Sequence, residues 1–328
     1  MRTILYRPFR IVSAASTRAF SHARCGRTLS LIYEAVMTSK IVEKARHGVR
    51  WTPQEANDFL RAFHASRPGI TALSVDENRD PLGRTSYDLT AAAVPLTALS
   101  VLDLACGDGV LLLAIARRLE ARAELIGVDL SAVDVTLAKG RLADFRAKVL
   151  CESVERLSLA GESIDVVVSH FALMLIRPLE SVLAEVARVL RPGGLFVACV
   201  PQGISVDRSS AETRRLLLEI IRTDVPEYPD TGLGDSRAVA DDSLTVLLEA
   251  AGFEPPSFET HSLVCELAPE VMLRRFRSYY WWDLIREETR ARFDREILPL
   301  LEREAAATGT VRQASHVRMM KAETRLAS

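Results

Sequence analysis

Val101–Val110 reads VLDLACGDGV and runs on through LLLAIA to Ala116. An apolar-rich quartet, a run of small residues and a second apolar stretch outline a strand, a tight turn and a helix. A turn of small residues lets a ligand approach the backbone, and the helix behind it offers unpaired N–H groups and the positive end of a dipole. The dinucleotide pattern G-x-G-x-x-G, counted from Gly107 and Gly109, asks for a third glycine where this chain has Leu112. That third glycine is the one that allows close packing of helix on strand. The pattern the stretch does fit is acid-x-small-x-Gly-x-Gly, through Asp103, Ala105, Gly107 and Gly109.

A second acid follows 20 positions past Gly109, where Gly127-Val128-Asp129 ends the next strand. A carboxylate at that place can accept two hydrogen bonds from the hydroxyls of a ribose. Strands are predicted over 101–104, 125–129, 148–151, 165–169 and 195–200, with helices between them. This alternation is that of a parallel sheet covered on both faces. Leu179, Val182, Leu183, Val186 and Leu190 share one helical stripe, and their helix stops at the turn Arg191-Pro192-Gly193-Gly194. A helix over 241–251 ends at Gly252 and leads to a strand over 257–267, with a final strand expected within 311–323. Upstream, Thr52-Pro53-Gln54-Glu55 offers a capping box, so order is expected from Trp51 onward. Residues 67–84 read as loop and 86–93 as a short helix, while helical insertions over 202–240 and 268–308 interrupt the alternation.

The composition narrows the function. Forty-two basic residues nearly cancel 43 acidic ones in a chain of 328, so bulk charge advertises neither a nucleic-acid nor a membrane-surface partner. Cys25, Cys106, Cys151, Cys199 and Cys265 form no C-x-x-C pair, which argues against zinc sites and a disulfide framework and for a reducing compartment. The run Val110–Ala116 is far shorter than the roughly 20 residues of a membrane span. Residues 1–33 carry six arginines and no acid. That segment reads either as an unstructured extension, with Met37 as the working start and a cytoplasmic protein, or as a transit peptide to the mitochondrial matrix.

Four motifs in order carry a resemblance. VLDLACGDGVLLLAIA, GVDLS, ERLSLAGESIDVVVSHFAL and LAEVARVLRPGGLFVACVP resemble the glycine loop, ribose acid, adenine segment and fifth strand of the class I S-adenosylmethionine-dependent methyltransferases, the small-molecule branch with ubiquinone and menaquinone C-methyltransferases in particular. The resemblance is close over 87–200 and touches again at Ala250-Ala251-Gly252-Phe253. It implies an α/β fold: a Rossmann-like, doubly wound, seven-stranded sheet, mostly parallel with an antiparallel last strand, plus helical lid insertions. It also implies S-adenosylmethionine as cofactor, with Asp129 and Leu130 at the ribose, Gly107 and Gly109 admitting the ligand to the backbone, and Asp103 near the amino end. Ser153 and Val154 fall at the adenine, and Ser169 and His170 at the crevice. Ala105 departs from the family's glycine, and Ser153 stands where an aspartate is usual. Asp103 and Asp165 are read equally as residues that fix strand termini.

A sulfonium methyl is already activated, so the protein has mainly to align an acceptor and exclude water, and no metal is demanded. His170 is the candidate base for an O–H or acidic C–H acceptor, or else a partly exposed loop residue that shapes the pocket. Tyr87 and the run Ser278-Tyr279-Tyr280-Trp281-Trp282, expected on a helix, supply candidate lid residues in Tyr87, Tyr280, Trp281 and Trp282 for an apolar or aromatic small-molecule substrate. The rivals are weaker on residues. An exocyclic-amine methylase of nucleic acids calls for an Asn/Asp-Pro-Pro-aromatic turn where this chain has Ser169-His170-Phe171-Ala172, and an NAD-dependent oxidoreductase fails at Leu112. A non-catalytic protein of the same fold stays open, and the sequence does not speak to oligomeric state.

Overall fold

The computed structural model describes residues 38–120, 122–204 and 208–326, so the expectations for residues 1–36 lie outside it. Seven strands form one sheet: β1 Ser100–Leu104, β2 Glu124–Asp129, β3 Ala147–Cys151, β4 Ile164–His170, β5 Leu190–Ile204, β6 Ser257–Leu267 and β7 Val311–Glu323, in the order β3-β2-β1-β4-β5-β7-β6. The first five are parallel, while β7 runs antiparallel to both β5 and β6. Every residue of β1 is buried, as a central strand covered on both faces must be. The strand order reverses between β1 and β4, which opens a crevice at the carboxyl ends of those strands.

Helices α5 Val110–Arg118 and α6 Ala132–Arg141 cover one face with α4 Ser86–Ala93. Helices α7 Leu179–Val189 and α9 Asp241–Ala250 cover the other. The predicted stripe of α7 is the buried one, with Leu179, Val182, Leu183 and Val186 fully enclosed. The turn expected at Arg191–Gly194 belongs instead to β5: Ile164 pairs with Leu190 and Val166 with Leu195, so the intervening residues bulge out of the ladder.

Three differences concern the ends. A helix over 38–46, here α1, precedes Trp51, and Trp51 Nε1 donates to Ile41 O at 2.8 Å. The compact unit therefore begins at Thr38 rather than at Trp51. Helix α2, Pro53–Ser66, does start at the expected Thr52/Glu55 capping box, but a further short helix, α3 Ile70–Val75, lies inside the segment read as loop. Helices α8 Arg208–Asp224, α10 Pro269–Phe276 and α11 Glu287–Ala305 fill the two insertions. They share a core with α1 and α2 through Ile41, Phe59, Ile220, Met272, Trp281 and Phe293. The insertions and the N-terminal helices are thus one packed helical layer. Among the described residues no helix is long and apolar enough to cross a membrane.

Candidate functional site

The glycine turn has the backbone that its sequence calls for: Ala105, Gly107 and Gly109 adopt φ of 61°, 52° and 81°. Ala105 accepts the left-handed region at the cost of some strain, which its small side chain keeps low. Asp129 at the end of β2 fastens the turn, since its Oδ2 accepts from Gly107 N and its Oδ1 from Ser131 N, both at 2.8 Å. Each carboxylate oxygen keeps a second lone pair. A Cβ added to Gly107 would meet nothing within 4 Å, so the backbone is open on that side. The opposite holds at Gly127, where an added Cβ would lie 2.8 Å from both Cys106 Sγ and Leu112 Cδ1. Here the close helix–strand approach is made by a glycine on the strand, with Leu112 filling the space from the helix. That is the physical reason for the failed dinucleotide count.

One cavity gathers Tyr87, Asp103, Ala105, Gly107, Asp129, Leu130, Ser153, Val154 and His170. Gly109 and Ser169 stand outside its lining. Gly109 caps α5 and packs on Ala138, which an added Cβ would approach to 3.0 Å. Ser169 is enclosed within β4 with its Oγ unpartnered. Asp103 is buried and its Oδ2 also has no partner. Burial above all, then the nearby Asp129 and Asp108, pushes its carboxyl well above the usual carboxylate range. Burial raises Asp129 too, against the opposing pull of the Ser131 and Gly107 N–H groups.

His170 is not a partly exposed loop residue. It closes β4 at 6% exposure, hydrogen-bonded through Nε2 to Ser86 Oγ at 2.9 Å and stacked between Tyr87 and Phe171 at centroid distances of 4.0 and 4.4 Å. Burial lowers its pKa to about 3. The imidazole is therefore a weak base: neutral near pH 7, it holds a proton poorly because its cation is disfavoured by burial.

A second cavity, of about 320 Å³, adjoins the first: Ile70, Thr71, Phe171 and Tyr280 line both. The aromatic run is not helical; it forms a 3₁₀ turn over Tyr280–Asp283. Of the three candidates there, Tyr280 lines both of these cavities and Trp281 and Trp282 line neither. Trp281 is 4% exposed and packs on Phe293, and Trp282 packs beside it under the guanidinium groups of Arg277 and Arg290. Sequence reasoning missed His64 and Asp134. His64 Nε2 lies 3.3 Å from Tyr280 Oη, and its Nδ1 lies 3.5 Å from Asp134 Oδ2, an ion-pair separation too long to satisfy that oxygen fully. Burial would raise Asp134, but His64, the Gly69 N–H and the Ser131 hydroxyl outweigh it and leave the carboxyl below its ordinary value. No motif announces this chain, because α2, α6 and the 3₁₀ turn meet only in the fold. Among the described residues no group of His, Cys, Asp and Glu could hold a metal ion.

Residues 101–194 match a family described as methyltransferase domain. The chain is similar to the ubiquinone biosynthesis O-methyltransferase of Rhizobium etli, 31% identical over 159 residues that make up 46% of this chain and 58% of that protein. The protein of the same description from Rhizobium rhizogenes is 34% identical over 159 residues, again 46% and 58%. The chain thus spans less than two thirds of the length of these curated relatives. A solved structure from Anaeromyxobacter dehalogenans, described as a type II methyltransferase, shares the fold with a TM-score of 0.56 at 21% identity, over 76% of this chain and 99% of that one. The glycine turn, the β2 acid and the strand order agree with that match, and residues 101–194 form a methyltransferase domain.

Proposed function

We propose that the protein transfers a methyl group from S-adenosylmethionine to oxygen or carbon of a small, apolar or aromatic acceptor. The observation that carries this reading is the meeting of two cavities across Tyr280, Phe171, Ile70 and Thr71. One is built at the strand ends around Asp129, the other is walled mainly by apolar and aromatic side chains. The residues present fit the cofactor: Asp129 has lone pairs to spare for ribose hydroxyls, Gly107 leaves room along its backbone, and the orphaned Asp103 Oδ2 suits an ammonium group, whose charge would lower that carboxyl again. Leu130, Ser153 and Val154 would border the nucleoside. When bound, the cofactor supplies an electrophilic methyl, and the chain has to hold the acceptor in line and keep water out.

In this reading His170 is a positioning residue whose stack with Tyr87 and Phe171 sets the wall beside the transfer point. The proton of a hydroxyl acceptor would pass toward His64, held between Asp134 and Tyr280 Oη at the junction of the cavities. The relatives named above are O-methyltransferases, which favours oxygen as the methylated atom. The test is transfer of labelled methyl into fractionated metabolite pools, with calorimetry against S-adenosylhomocysteine and NAD. Binding of NAD in place of S-adenosylhomocysteine would overturn the reading, and so would cofactor binding with no transfer to any pool.

A further inference from the structure

The second cavity has a charge pattern that an apolar acceptor alone does not explain. Its lining includes Phe63, Val75, Met174, Pro201 and Val317, yet also Arg275 and His316, and no Asp or Glu. Arg275 sits on α10 and donates to two uncharged groups, Asn78 Oδ1 at 3.0 Å and Cys265 Sγ at 3.2 Å. Cys265 stays a thiol, because burial raises its pKa more than Arg275 lowers it. The Nε of Arg275 is enclosed and has no partner at all. Among the described residues this arginine makes no ion pair, whereas two others of the helical layer do: Arg277 pairs with Asp294 and Arg286 with Asp224.

A guanidinium is charged at any physiological pH and presents a planar fork matched to a carboxylate. Holding one partly buried beside a largely apolar wall without an anion is costly unless a ligand brings the anion. What sets Arg275 apart from the solvent-facing arginines is that its Nε is enclosed beside the cavity and has no partner there. We propose that the acceptor carries a carboxylate, which Arg275 binds while the apolar or aromatic body runs along Phe63, Val75 and Phe171 toward Tyr280. Arg275 lines only the second cavity, and Tyr280 lines both, so the anion is held apart from the end that meets the methyl. The same geometry excludes neutral analogues of equal shape, since they leave the guanidinium unpaired. This inference rests on the methyltransferase reading for its name as an acceptor site; the anion preference itself does not.

The test is a panel of aryl and alkyl carboxylates, each paired with the alcohol of the same carbon skeleton, for example phenylpropionate with phenylpropanol. Binding to the full chain is measured by calorimetry, with and without saturating S-adenosylhomocysteine. The expected result is that the better-fitting carboxylates bind at least about tenfold tighter than their alcohols, and that R275Q reduces the difference to about twofold or less while its affinity for S-adenosylhomocysteine is unchanged. Equal affinities within every pair of the wild-type comparison, which needs no variant, would overturn the proposal. So would a preference that survives R275Q, or a panel in which nothing binds. A carboxylate preference abolished by R275Q in a protein that fails to bind S-adenosylhomocysteine would keep the anion site and discard the methyltransferase reading, so the two failures are told apart.

Discussion

The two cavities are built in opposite ways. The wall around Asp129 comes from the carboxyl ends of neighbouring parallel strands, β1, β2 and β4, and each strand delivers its polar residue by ending in register with the next: Asp103 lies opposite Gly127, two residues before Asp129. The wall around Arg275 comes from α2, the segment after α3, the loop after β4, α10 and β7, which approach from positions as far apart as Phe63 and Val317. The first, the sheet wall, is fixed by backbone pairing and survives side-chain change; the second takes one side from the paired strands β5 and β7, but its helical side, with Phe63 and Arg275, is fixed by side-chain packing. A damaged sheet wall should therefore lose ligand and keep its fold, whereas a damaged helical wall should lose fold first.

The largest effect expected tests the second half of that statement. Trp281 is buried against Trp282 and Phe293 in the core shared by α2, α10 and α11. Truncation to alanine should cost about 3–5 kcal/mol of stability, read as a lowered denaturant midpoint with the affinity of the remaining folded protein for carboxylates little changed. A stable Trp281→Ala protein with a selectively weakened acceptor affinity would break the comparison, by making this ring part of the pocket after all. Next in size is Asp129→Ala, which should weaken S-adenosylhomocysteine binding by about a hundredfold, the loss of two hydrogen bonds to a charged group, while circular dichroism and the unfolding midpoint move modestly. Wild-type affinity in this variant would remove Asp129 from the site.

These contrasts also explain what could be read in advance. The glycine turn, the acid of β2, all seven strands and the stripe of α7 were legible because each depends on residues close together in sequence: a fixed spacing of small and acidic residues, short apolar runs bounded by turns, or a period of 3.6. Even Leu112, the residue that breaks the dinucleotide count, carried information, and its partner Gly127 could have been found by asking which strand residue yields to it. Arg275, His64 and Asp134 were not legible. An arginine among the 42 basic residues has no local mark of being unpaired, and a histidine on α2 acquires meaning only when α6 brings Asp134 beside it. Trp281 and Trp282 misled for a related reason: a cluster of aromatics signals packing, but sequence does not say whether the packing closes a core or lines a cavity.

A smaller effect sharpens the comparison where the walls touch. His64→Gln keeps a hydrogen-bonding side chain beside Tyr280 but removes the proton acceptor. It should lower kcat by about tenfold or more, with S-adenosylhomocysteine affinity within about twofold of wild type. An unaltered kcat would return His64 to a purely structural role as the link between α2 and α6.

The smallest effect lies in the sheet wall and is read through pH. His170 titrates near 3 in the folded chain because burial disfavours its cation, against 6.5 for the free side chain. Between those values the unfolded chain binds the extra proton and the folded chain does not, so acid favours unfolding. The contribution of His170 is fully present above its unfolded pKa and is lost as pH falls toward the folded one, about 1 kcal/mol between roughly pH 7 and pH 5.5. Asp103 and Asp129 act in the opposite sense, since burial raises both and a folded carboxyl that holds its proton gains from acid. The wild-type curve alone therefore mixes the two signs. The difference between wild type and His170→Phe isolates the imidazole, because phenylalanine keeps the stack between Tyr87 and Phe171 and cannot titrate. The variant should lose less stability on acidification by that amount, with its neutral-pH stability changed mainly by the missing contact to Ser86. Parallel curves for the two proteins would mean that water reaches His170 and that the wall beside the transfer point is open, which would also undo the case for dry alignment of the acceptor.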